Sequence, residues 1–330
     1  KVYPINPRFK CVFGIQCWPS VLNVPDEIDL AVIATPAETV PRVMEECAEK
    51  GVRGAIIISG GFSEIGEEGR RREQKILEIA RKAGMRVIGP NCVGVYDPVS
   101  GVDTVFMPRF RMSRPGPGRI AFISQSGAFG VAVLDWAASR GFGVSKFISI
   151  GNKVDVNECD LLEYLAEDPD TEAIGLYLEA IPQGRRFLEL CRRCPKPIVV
   201  LKGGKSPAGA KAAQSHTASL AGDGAVVSGA LAQAGVVEAS GFKQMVDFCR
   251  TLAEYPEVRP EARGRVAILT YSGGSGIISA DGLHALGLPL ARLSEQTLSE
   301  IKKVFPAWMP VSNPVDLWPA VEQNGAQAVY

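Results

Sequence analysis

Short apolar runs alternate with amphipathic helical patterns along the first part of the chain, and this alternation restricts the fold more than any other feature. Residues 29–34 contain a continuous apolar run, which predicts a strand buried on both faces of a parallel sheet. A helical pattern follows from about Ala37, then a strand over 54–58, a helix over about 66–83 and a strand over 85–88. Such alternation predicts an α/β fold with right-handed crossovers.

An internal repeat divides the rest of the chain. Residues 118–130 align without gaps on residues 264–276, and six of the thirteen positions are identical. Each copy follows a stretch rich in Pro, Arg and Gly that is typical of a linker. We therefore predict three domains, at 1–117, 118–262 and 263–330.

Both ends of this arrangement are expected to be incomplete. A doubly wound nucleotide-binding domain normally carries a Gly-rich phosphate loop in its first βα turn. No such loop precedes the first predicted strand, so we expect the first domain to begin at the second strand of its fold. The segment 263–330 is short for a domain and is expected to be truncated.

The composition excludes several classes of function. The chain has 36 Lys plus Arg residues and 36 Asp plus Glu residues, so its formal net charge is zero. This balance does not indicate a basic surface that would bind nucleic acid or an anionic membrane. No apolar run reaches the ~18 residues of a spanning helix, and a hydrophobic content of 46% excludes disorder. We therefore expect a globular protein of the cytoplasm, with neither nucleic acid nor a membrane as its partner.

The eight cysteines are scattered through apolar segments, as is typical of reduced core cysteines. Cys191 and Cys194 form a CxxC pair, and the chain has only two histidines. Because a zinc site needs about four Cys or His ligands, we predict no metal site.

Each copy of the repeat places a strand, a Ser-Gly turn and a helix start in succession. Unpaired N–H groups at a helix N-terminus attract anions. The candidate phosphate-binding residues are Ser124, Gln125, Ser126 and Gly127 in the first copy, and Ser272, Gly273 and Gly274 in the second. The alternative is a tight crossover in which serine merely caps the helix, and the sequence leaves both interpretations open.

A histidine and a carboxylate are candidates for catalysis. His216 lies in the segment 208–222, which is rich in Gly, Ala and Ser; this suits a histidine carried on a loop, although a lone histidine is more often structural. Glu179 directly follows the apolar run 173–178, at the end of a strand where open α/β sheets place their sites. A carboxylate that accepts a hydrogen bond from one ring nitrogen would leave the other nitrogen as a nucleophile.

Two loops follow predicted strands of the first domain. Thr35 and Pro36 come after the strand over 29–34, and Asn91 and Cys92 come after the strand over 85–88. Both loops are therefore expected beside a bound cofactor.

Three familiar motifs are excluded or disfavoured. A P-loop needs a glycine where Val199 stands. Residues 124–128 do not follow the Gly-x-Ser-x-Gly pattern of a nucleophile elbow. The absence of a glycine fingerprint also disfavours a dinucleotide-dependent oxidoreductase.

Seven segments, in order along almost the whole chain, resemble the α-subunit part of the ADP-forming (NDP-forming) acyl-CoA synthetases, which are relatives of succinyl-CoA synthetase. The segments are 3–7, 54–62, 89–94, 123–128, 151–153, 215–222 and 313–317. The resemblance implies a Rossmann-like CoA-binding domain, without its first βα unit, followed by two flavodoxin-like doubly wound domains. It also implies an acid-CoA ligase that interconverts acyl-CoA, ADP and phosphate with a carboxylic acid, CoA and ATP.

The same resemblance implies roles for the candidate residues. His216 would be phosphorylated by an acyl phosphate, Glu179 would hold this histidine, and the two Ser-Gly turns would hold phosphate. The residues expected to contact CoA are Lys10, Thr35, Pro36, Asn91 and Cys92, with Arg8 as an alternative to Lys10.

The resemblance also implies partners. The ATP-grasp part that binds Mg-ADP or Mg-ATP in this family is expected in a separate β-subunit or a fused region, which makes a hetero-oligomer the expected form. The substrates would be CoA and a small carboxylic acid. The alternative is a non-catalytic CoA-binding regulatory module, and the presence of His216, Glu179 and both turns favours the enzyme.

Overall fold

Alternating strands and helices build two sheets within the first of the two units into which the chain divides. The computed structural model describes residues 1–211, 223–256 and 264–329. The two units are Lys1–Pro256 and Glu257–Tyr330.

The N-terminal part of the first unit holds a hairpin and a three-stranded parallel sheet. The hairpin pairs β1 (Cys11–Val12) with β2 (Ile15–Gln16). The sheet contains, in spatial order, β3 (Leu30–Ile33), β4 (Gly54–Ile57) and β5 (Arg86–Ile88). The chain crosses from strand to strand through α1 (Val40–Glu49) and α2 (Glu67–Ala83).

These two helices follow directly from the sequence pattern. The buried residues of α1 are Val40, Met44 and Cys47, whose spacing places them on one helix face. Helix α2 ends at Gly84, which adopts the left-handed conformation that glycine tolerates at a helix end. The two helices pack against each other beside the sheet, as the α/β prediction requires.

The prediction that the first apolar run is buried on both faces is wrong. Leu30 and Val32 of β3 are 41% and 48% exposed, whereas Ile33 is buried. The reason is that β3 lies at the edge of its sheet, and within the described residues the helices cover only one of its faces.

A seven-stranded sheet follows in the same unit. Its strands, in chain order, are β6 (Val95–Asp97), β7 (Val102–Asp103), β8 (Pro117–Ser124), β9 (Val144–Ser149), β10 (Ala173–Leu178), β11 (Ile198–Lys202) and β12 (Val237–Glu238). Their spatial order is β12-β11-β10-β8-β9-β6-β7. The helices that accompany them are α3 (Gly127–Ser139), α4 (Glu158–Glu167), α5 (Gly184–Arg193), α6 (Gly224–Gln233) and α7 (Phe242–Glu254).

The five strands β8 to β12 are parallel and have the flavodoxin-like order 2-1-3-4-5 when they are counted along the chain. Separate hydrophobic clusters cover the two faces of the sheet, one around Leu162 and Phe187 and the other around Phe147 and Val246. A doubly wound, flavodoxin-like domain is therefore confirmed here.

Strands β6 and β7 extend this sheet with antiparallel pairing, β6 to β9 and β7 to β6. Residues 95–103 thus belong to the second sheet, although they precede the predicted domain boundary at 117. The division into three domains stays a prediction.

The second unit is small. It contains the parallel pair β13 (Leu269–Thr270) and β14 (Val315–Asp316), with helices α8 (Gly273–Ala285), α9 (Glu295–Lys302), α10 (Trp318–Asn324) and α11 (Ala326–Val329). Its core is formed by Phe305, Val315, Leu317 and Ala320. The Asn313 side chain ties the strands together, because it accepts from Ile268 N–H and donates to two main-chain carbonyls.

All eight cysteines are free thiols, and Cys11 is exposed, which corrects the expectation that every one lies in a core. Burial raises the pKa of the Cys191 thiol to about 12, so this member of the CxxC pair stays protonated. Across the described ranges, no helix combines the length and the apolar character that a membrane span requires.

Candidate functional site

The carboxyl edge between β8 and β10 is the point where the strand order of the large sheet reverses. In open α/β sheets, the crevice outside such a switch point is where ligands bind. Tyr177 of β10 pairs with Ser124 of β8, so the chain leaves both strands at the same level. The predicted residues Ser124–Gly127 and Glu179 are therefore brought together at this edge.

The first Ser-Gly turn is ordered by its own hydroxyl groups. Ser124 Oγ donates to Ser126 O at 2.6 Å, and Ser126 Oγ accepts from Phe129 N–H at 3.4 Å as the N-cap of α3. The capping interpretation is therefore present in the structure. It uses the N–H of Phe129 and leaves the start of α3, at Gly127, oriented toward the switch point, so capping and anion binding are compatible.

Gln125 makes hydrogen bonds in the first Ser-Gly turn that sequence reasoning did not assign. Its Oε1 accepts from Glu179 N–H at 2.8 Å and from Ala180 N–H at 3.1 Å. Its own N–H donates to Tyr177 O at 3.0 Å. Gln125 thus ties the turn after β8 to the end of β10, and its contact with phosphate stays a prediction.

Glu179 lies directly after β10 and is 6% exposed. Tyr177 Oη donates to its Oε1 at 3.4 Å, and the Tyr177 ring stacks on Phe129 with 4.2 Å between centroids. Burial, reinforced by the neighbouring carboxylate, raises the pKa of Tyr177 to about 12, so the phenol keeps its proton and donates to the carboxylate. Sequence reasoning missed Tyr177, which stands inside the apolar run before Glu179.

Two buried lysines also bind the chain around Glu179. Lys202 Nζ donates to Glu179 O at 2.7 Å, and Lys153 Nζ donates to Ala180 O at 2.6 Å and to Glu158 Oε2 at 2.8 Å. Sequence reasoning did not assign either lysine. A charged residue at the end of the apolar run 198–201 was the signal that could have found Lys202.

His216 lies outside the described residues. The elements on either side of its segment are β11, which ends at Lys202, and α6, which begins at Gly224 with Asp223 as its N-cap. Asp223 Oδ1 accepts from Ala225 N–H at 2.7 Å. The pairing of His216 with Glu179 stays a prediction.

The second Ser-Gly turn repeats the hydrogen bonds of the first. Thr270 Oγ1 donates to Ser272 O at 3.2 Å, and Ser272 Oγ accepts from Ser275 N–H at 3.3 Å as the N-cap of α8. A carboxylate lies against this helix start, because a Cβ atom on Gly273 would be only 2.9 Å from Asp316 Oδ2. Gly274 follows in the first turn of α8.

The predicted CoA loops come together at the carboxyl edge of the three-stranded sheet. Ser59 connects them, since its Oγ donates to Thr35 O at 2.5 Å and its carbonyl accepts from Asn91 N–H at 2.9 Å. Pro36 begins the short helical turn after Thr35. Asn91 has a φ of 58°, a left-handed conformation that asparagine tolerates better than most residues.

Not every predicted CoA residue presents its side chain. Cys92 is buried, its thiol donates to Ile57 O at 3.3 Å, and burial raises its pKa to about 12. Arg8 and Lys10 both precede the N-terminal hairpin, and both are exposed. Within the described residues, no hydrogen bond joins either side chain to the loops at Thr35 and Asn91.

The segment 151–153 connects the two sheet edges. Asn152 Nδ2 donates to Glu64 Oε2 and to Glu73 Oε1, each at 2.7 Å, and its Oδ1 accepts from Asn91 Nδ2 at 3.3 Å. Although burial opposes the change, the bonds from Asn152 and from Gly61 N–H hold the pKa of Glu64 below its usual value. Since Lys153 binds Ala180 O, one short loop contacts both the CoA loops and the Glu179 region.

No group of three or more His, Cys, Asp and Glu side chains is arranged to hold a metal ion in the part of the chain that the structure describes. The groups near this edge that could bind an anion are helix starts, hydroxyl groups and lysines.

Comparisons with known proteins agree with the fold. A family model described as a succinyl-CoA ligase like flavodoxin domain matches residues 117–252, and a CoA binding domain model matches residues 1–98. The chain is 43% identical over 320 residues to the α subunit of acetate–CoA ligase [ADP-forming] II from Pyrococcus furiosus, covering 96% of this chain and 68% of that protein.

A second relative and a solved structure are also similar. Acetate–CoA ligase [ADP-forming] I from Archaeoglobus fulgidus is 43% identical over 318 residues, which are 96% of this chain and 45% of that protein. A structure of acetyl-coenzyme A synthetase 1 from Ca. Korarchaeum cryptofilum, in complex with phosphate and ADP, is 37% identical with a TM-score of 0.86, covering 96% of this chain and 67% of that one.

The chain spans slightly less than half, 45% and 48%, of the two Archaeoglobus fulgidus ligases that it matches, and about two thirds of the Pyrococcus furiosus α subunit. Its Rossmann-like CoA-binding part and its flavodoxin-like part occur in the same order as the two matched family models. The chain therefore belongs to the family of ADP-forming acyl-CoA ligases related to succinyl-CoA ligase, and corresponds to their α-subunit part.

Proposed function

We propose that this chain is the CoA-binding and phosphoryl-transfer part of an acid-CoA ligase. The observation that carries the proposal is the convergence of Glu179 with the helix start at Gly127 on the switch point of the large sheet. A buried carboxylate beside an anion-binding helix start suits a site where a histidine receives a phosphoryl group.

The reaction proceeds in three reversible steps. A phosphate oxygen attacks the carbonyl carbon of acyl-CoA, the C–S bond breaks, and CoA leaves as the thiolate. An imidazole nitrogen of His216 then attacks the phosphorus of the acyl phosphate, so the carboxylic acid leaves as its carboxylate. A terminal oxygen of ADP finally attacks the phosphohistidine and ATP forms.

Each residue has a role that its surroundings support. Glu179 accepts a hydrogen bond from the proton-bearing nitrogen of His216 and stabilises the cationic ring that phosphorylation produces. Ser124, Ser126 and Gly127 bind the phosphoryl group at the start of α3, with Gln125 as their neighbour. Ser272, Gly273 and Gly274 are the corresponding phosphate-binding residues of the second copy.

CoA binds at the edge of the three-stranded sheet. The residues assigned to it are Lys10, Thr35, Pro36, Asn91 and Cys92. Cys92 contributes through its main chain, since its thiol is buried and donates to Ile57 O.

A nucleotide-binding partner completes the enzyme. The name of the Pyrococcus furiosus relative, an α subunit, supports a second subunit or a fused region, which we propose to be an ATP-grasp part that binds Mg-ADP or Mg-ATP. We call this assembly the complete ligase, and we propose that it is a hetero-oligomer of the cytoplasm. Free thiols throughout the chain suit that reducing compartment.

The test is turnover by the complete ligase with a panel of small carboxylic acids. We expect ATP formation that requires an acyl-CoA, phosphate and ADP, and its loss in His216→Asn with an unchanged unfolding temperature. Turnover retained in His216→Asn would contradict the proposal. CoA binding without turnover on any acid would instead support a regulatory module.

A further inference from the structure

We propose that Lys202 is a positioning residue for Glu179: its ammonium group fixes the main chain at the point where Glu179 leaves β10. This inference rests on the proposed function, because it assigns Lys202 to the same phosphoryl-transfer site. Nothing in the sequence pattern had given this lysine a role.

The position of Lys202 allows this contact. It is the last residue of β11 and pairs with Leu178, the last residue of β10, so its side chain starts beside the strand end that it binds. Its Nζ donates to Glu179 O at 2.7 Å and also to Gly203 O. One ammonium group thus connects the carboxyl ends of two neighbouring strands.

The burial of Lys202 indicates that packing alone does not explain why a lysine occupies this position. The residue is 8% exposed, and burying an ammonium group is costly unless its hydrogen bonds and charge are used. Its two hydrogen bonds go to main-chain carbonyls at the site edge. An apolar side chain of similar length would fill the same space without that cost.

Lys202 completes a set of bonds that holds Glu179 on both sides. Gln125 Oε1 accepts from the N–H groups of Glu179 and Ala180, while Lys202 and Lys153 donate to the carbonyl groups of the same two residues. The main chain at Glu179 and Ala180 is therefore held through both its N–H groups and its carbonyl groups. This restraint sets the orientation of the Glu179 side chain.

The titratable groups around this carboxylate come from several elements. Tyr177 faces it from β10, Lys202 lies on β11, and Lys153 lies on the loop before α4 with its partner Glu158. Burial lowers the pKa of Lys202, and the charge of Glu179 opposes that change. Lys202 and Glu179 thus interact through charge as well as through the main chain.

A small displacement of Glu179 is expected to lower the rate of His216 phosphorylation strongly. A displacement of about 1 Å at a reacting group can lower a rate about 100-fold. We therefore expect Lys202→Met to slow the phosphorylation of His216 by about 10- to 100-fold. The KM for acyl-CoA should change less than about twofold, because the proposed CoA loops lie on the other sheet.

The chain offers a matched control. Lys196 Nζ also donates to two main-chain carbonyls, Leu165 O at 2.6 Å and Asp168 O at 2.5 Å, but it precedes β11 instead of ending it. Lys196→Met removes the same kind of bonds at the opposite end of the strand. It should lower the unfolding temperature without slowing His216 phosphorylation.

The experiment measures single-turnover phosphorylation of His216, KM and the unfolding temperature in the complete ligase. Lys202→Arg should recover a large part of the rate, since a guanidinium can donate to the same carbonyls. If Lys202→Met does not fold, Lys202→Gln takes its place, with the same loss expected because its amide is too short to reach Glu179 O.

Three results would overturn the inference. A normal rate in Lys202→Met would show that the contact does not position Glu179. Equal losses in Lys202→Met and Lys196→Met, without recovery in Lys202→Arg, would show a role in packing alone. Absence of phosphohistidine in the unaltered enzyme would overturn both this inference and the proposed function.

Discussion

The two Ser-Gly helix starts have the same local structure but different neighbours. In each, a hydroxyl two residues before the N-cap donates to the N-cap carbonyl, and the N-cap serine accepts from the N–H three residues on. The first lies beside Glu179 at a switch point of a seven-stranded sheet. At the second, the Asp316 carboxylate lies directly against Gly273.

This difference shows that local sequence determines the cap, whereas neighbouring strands determine what the helix start can bind. A carboxylate next to a helix N-terminus already supplies the negative charge that the helix dipole favours. We therefore expect the turn at Ser126 to bind phosphate more strongly than the turn at Ser272. The following predictions test this contrast, from the largest effect to the smallest.

Removing the acidic group near each turn should affect the two copies differently. Glu179→Gln should lower turnover by about 10²- to 10⁴-fold, because the amide cannot favour the cationic histidine ring. Asp316→Asn should change turnover by less than about tenfold. Steady-state kinetics of the complete ligase checks both, and similar losses in the two variants would contradict the contrast.

A methyl group on Gly130 or on Gly276, each four residues after its N-cap serine, tests packing. A Cβ on Gly130 would lie 2.6 Å from the Phe147 ring, whereas a Cβ on Gly276 would lie 3.0 Å from Pro314. Gly130→Ala should therefore destabilise the protein by about 1–3 kcal/mol, and Gly276→Ala should be close to neutral because of its gain in helix propensity. Denaturant unfolding measures both, and a larger loss in Gly276→Ala would contradict the packing described.

Removing each N-cap separates stability from function. Ser126→Ala and Ser272→Ala should each cost about 1 kcal/mol of stability, because both serines accept one N–H at a helix start. The KM for phosphate should rise a few-fold in Ser126→Ala and less in Ser272→Ala. An equal rise in both variants, in the same assay, would contradict the expected difference in phosphate binding between the two turns.

Tyr177 and Asp316 hold equivalent places, since each pairs with the residue two before the N-cap serine, Ser124 or Thr270. Tyr177→Phe removes a hydrogen bond of 3.4 Å to Glu179, so the rate of His216 phosphorylation should fall only a few-fold. The phenylalanine ring keeps the stacking on Phe129, so the stability of the variant should be unchanged and serves as a control. A loss as large as that of Glu179→Gln would contradict this ranking.

Local features of the fold and site were predictable from the sequence. The strand-helix alternation follows from hydrophobic periodicity, and each N-cap follows from a serine between a strand and a helix. The place of Glu179 at a strand end could be predicted because it directly follows an apolar run. The confirmed α/β fold rests on these local signals, whereas the flavodoxin-like domain was expected only from the family resemblance.

Features that depend on strand order were not predictable. Gln125 accepts a hydrogen bond from Glu179 N–H although 54 positions of the sequence separate them. The contact forms because β10 lies next to β8, an arrangement that neither segment specifies alone. The exposure of Leu30 and Val32 depends in the same way on β3 being an edge strand. The role of Lys202 was not predicted because it depends on the strand that lies beside β11.

The most direct test of the account is mass spectrometry of His216 after the complete ligase is mixed with phosphate and each member of a panel of acyl-CoA thioesters. The sample is kept alkaline because phosphohistidine is labile in acid, and His216→Asn serves as the control. The account predicts phosphate on His216 that requires both an acyl-CoA and phosphate and is absent from the control. Binding of CoA without phosphate on His216, for every thioester tested, would contradict it.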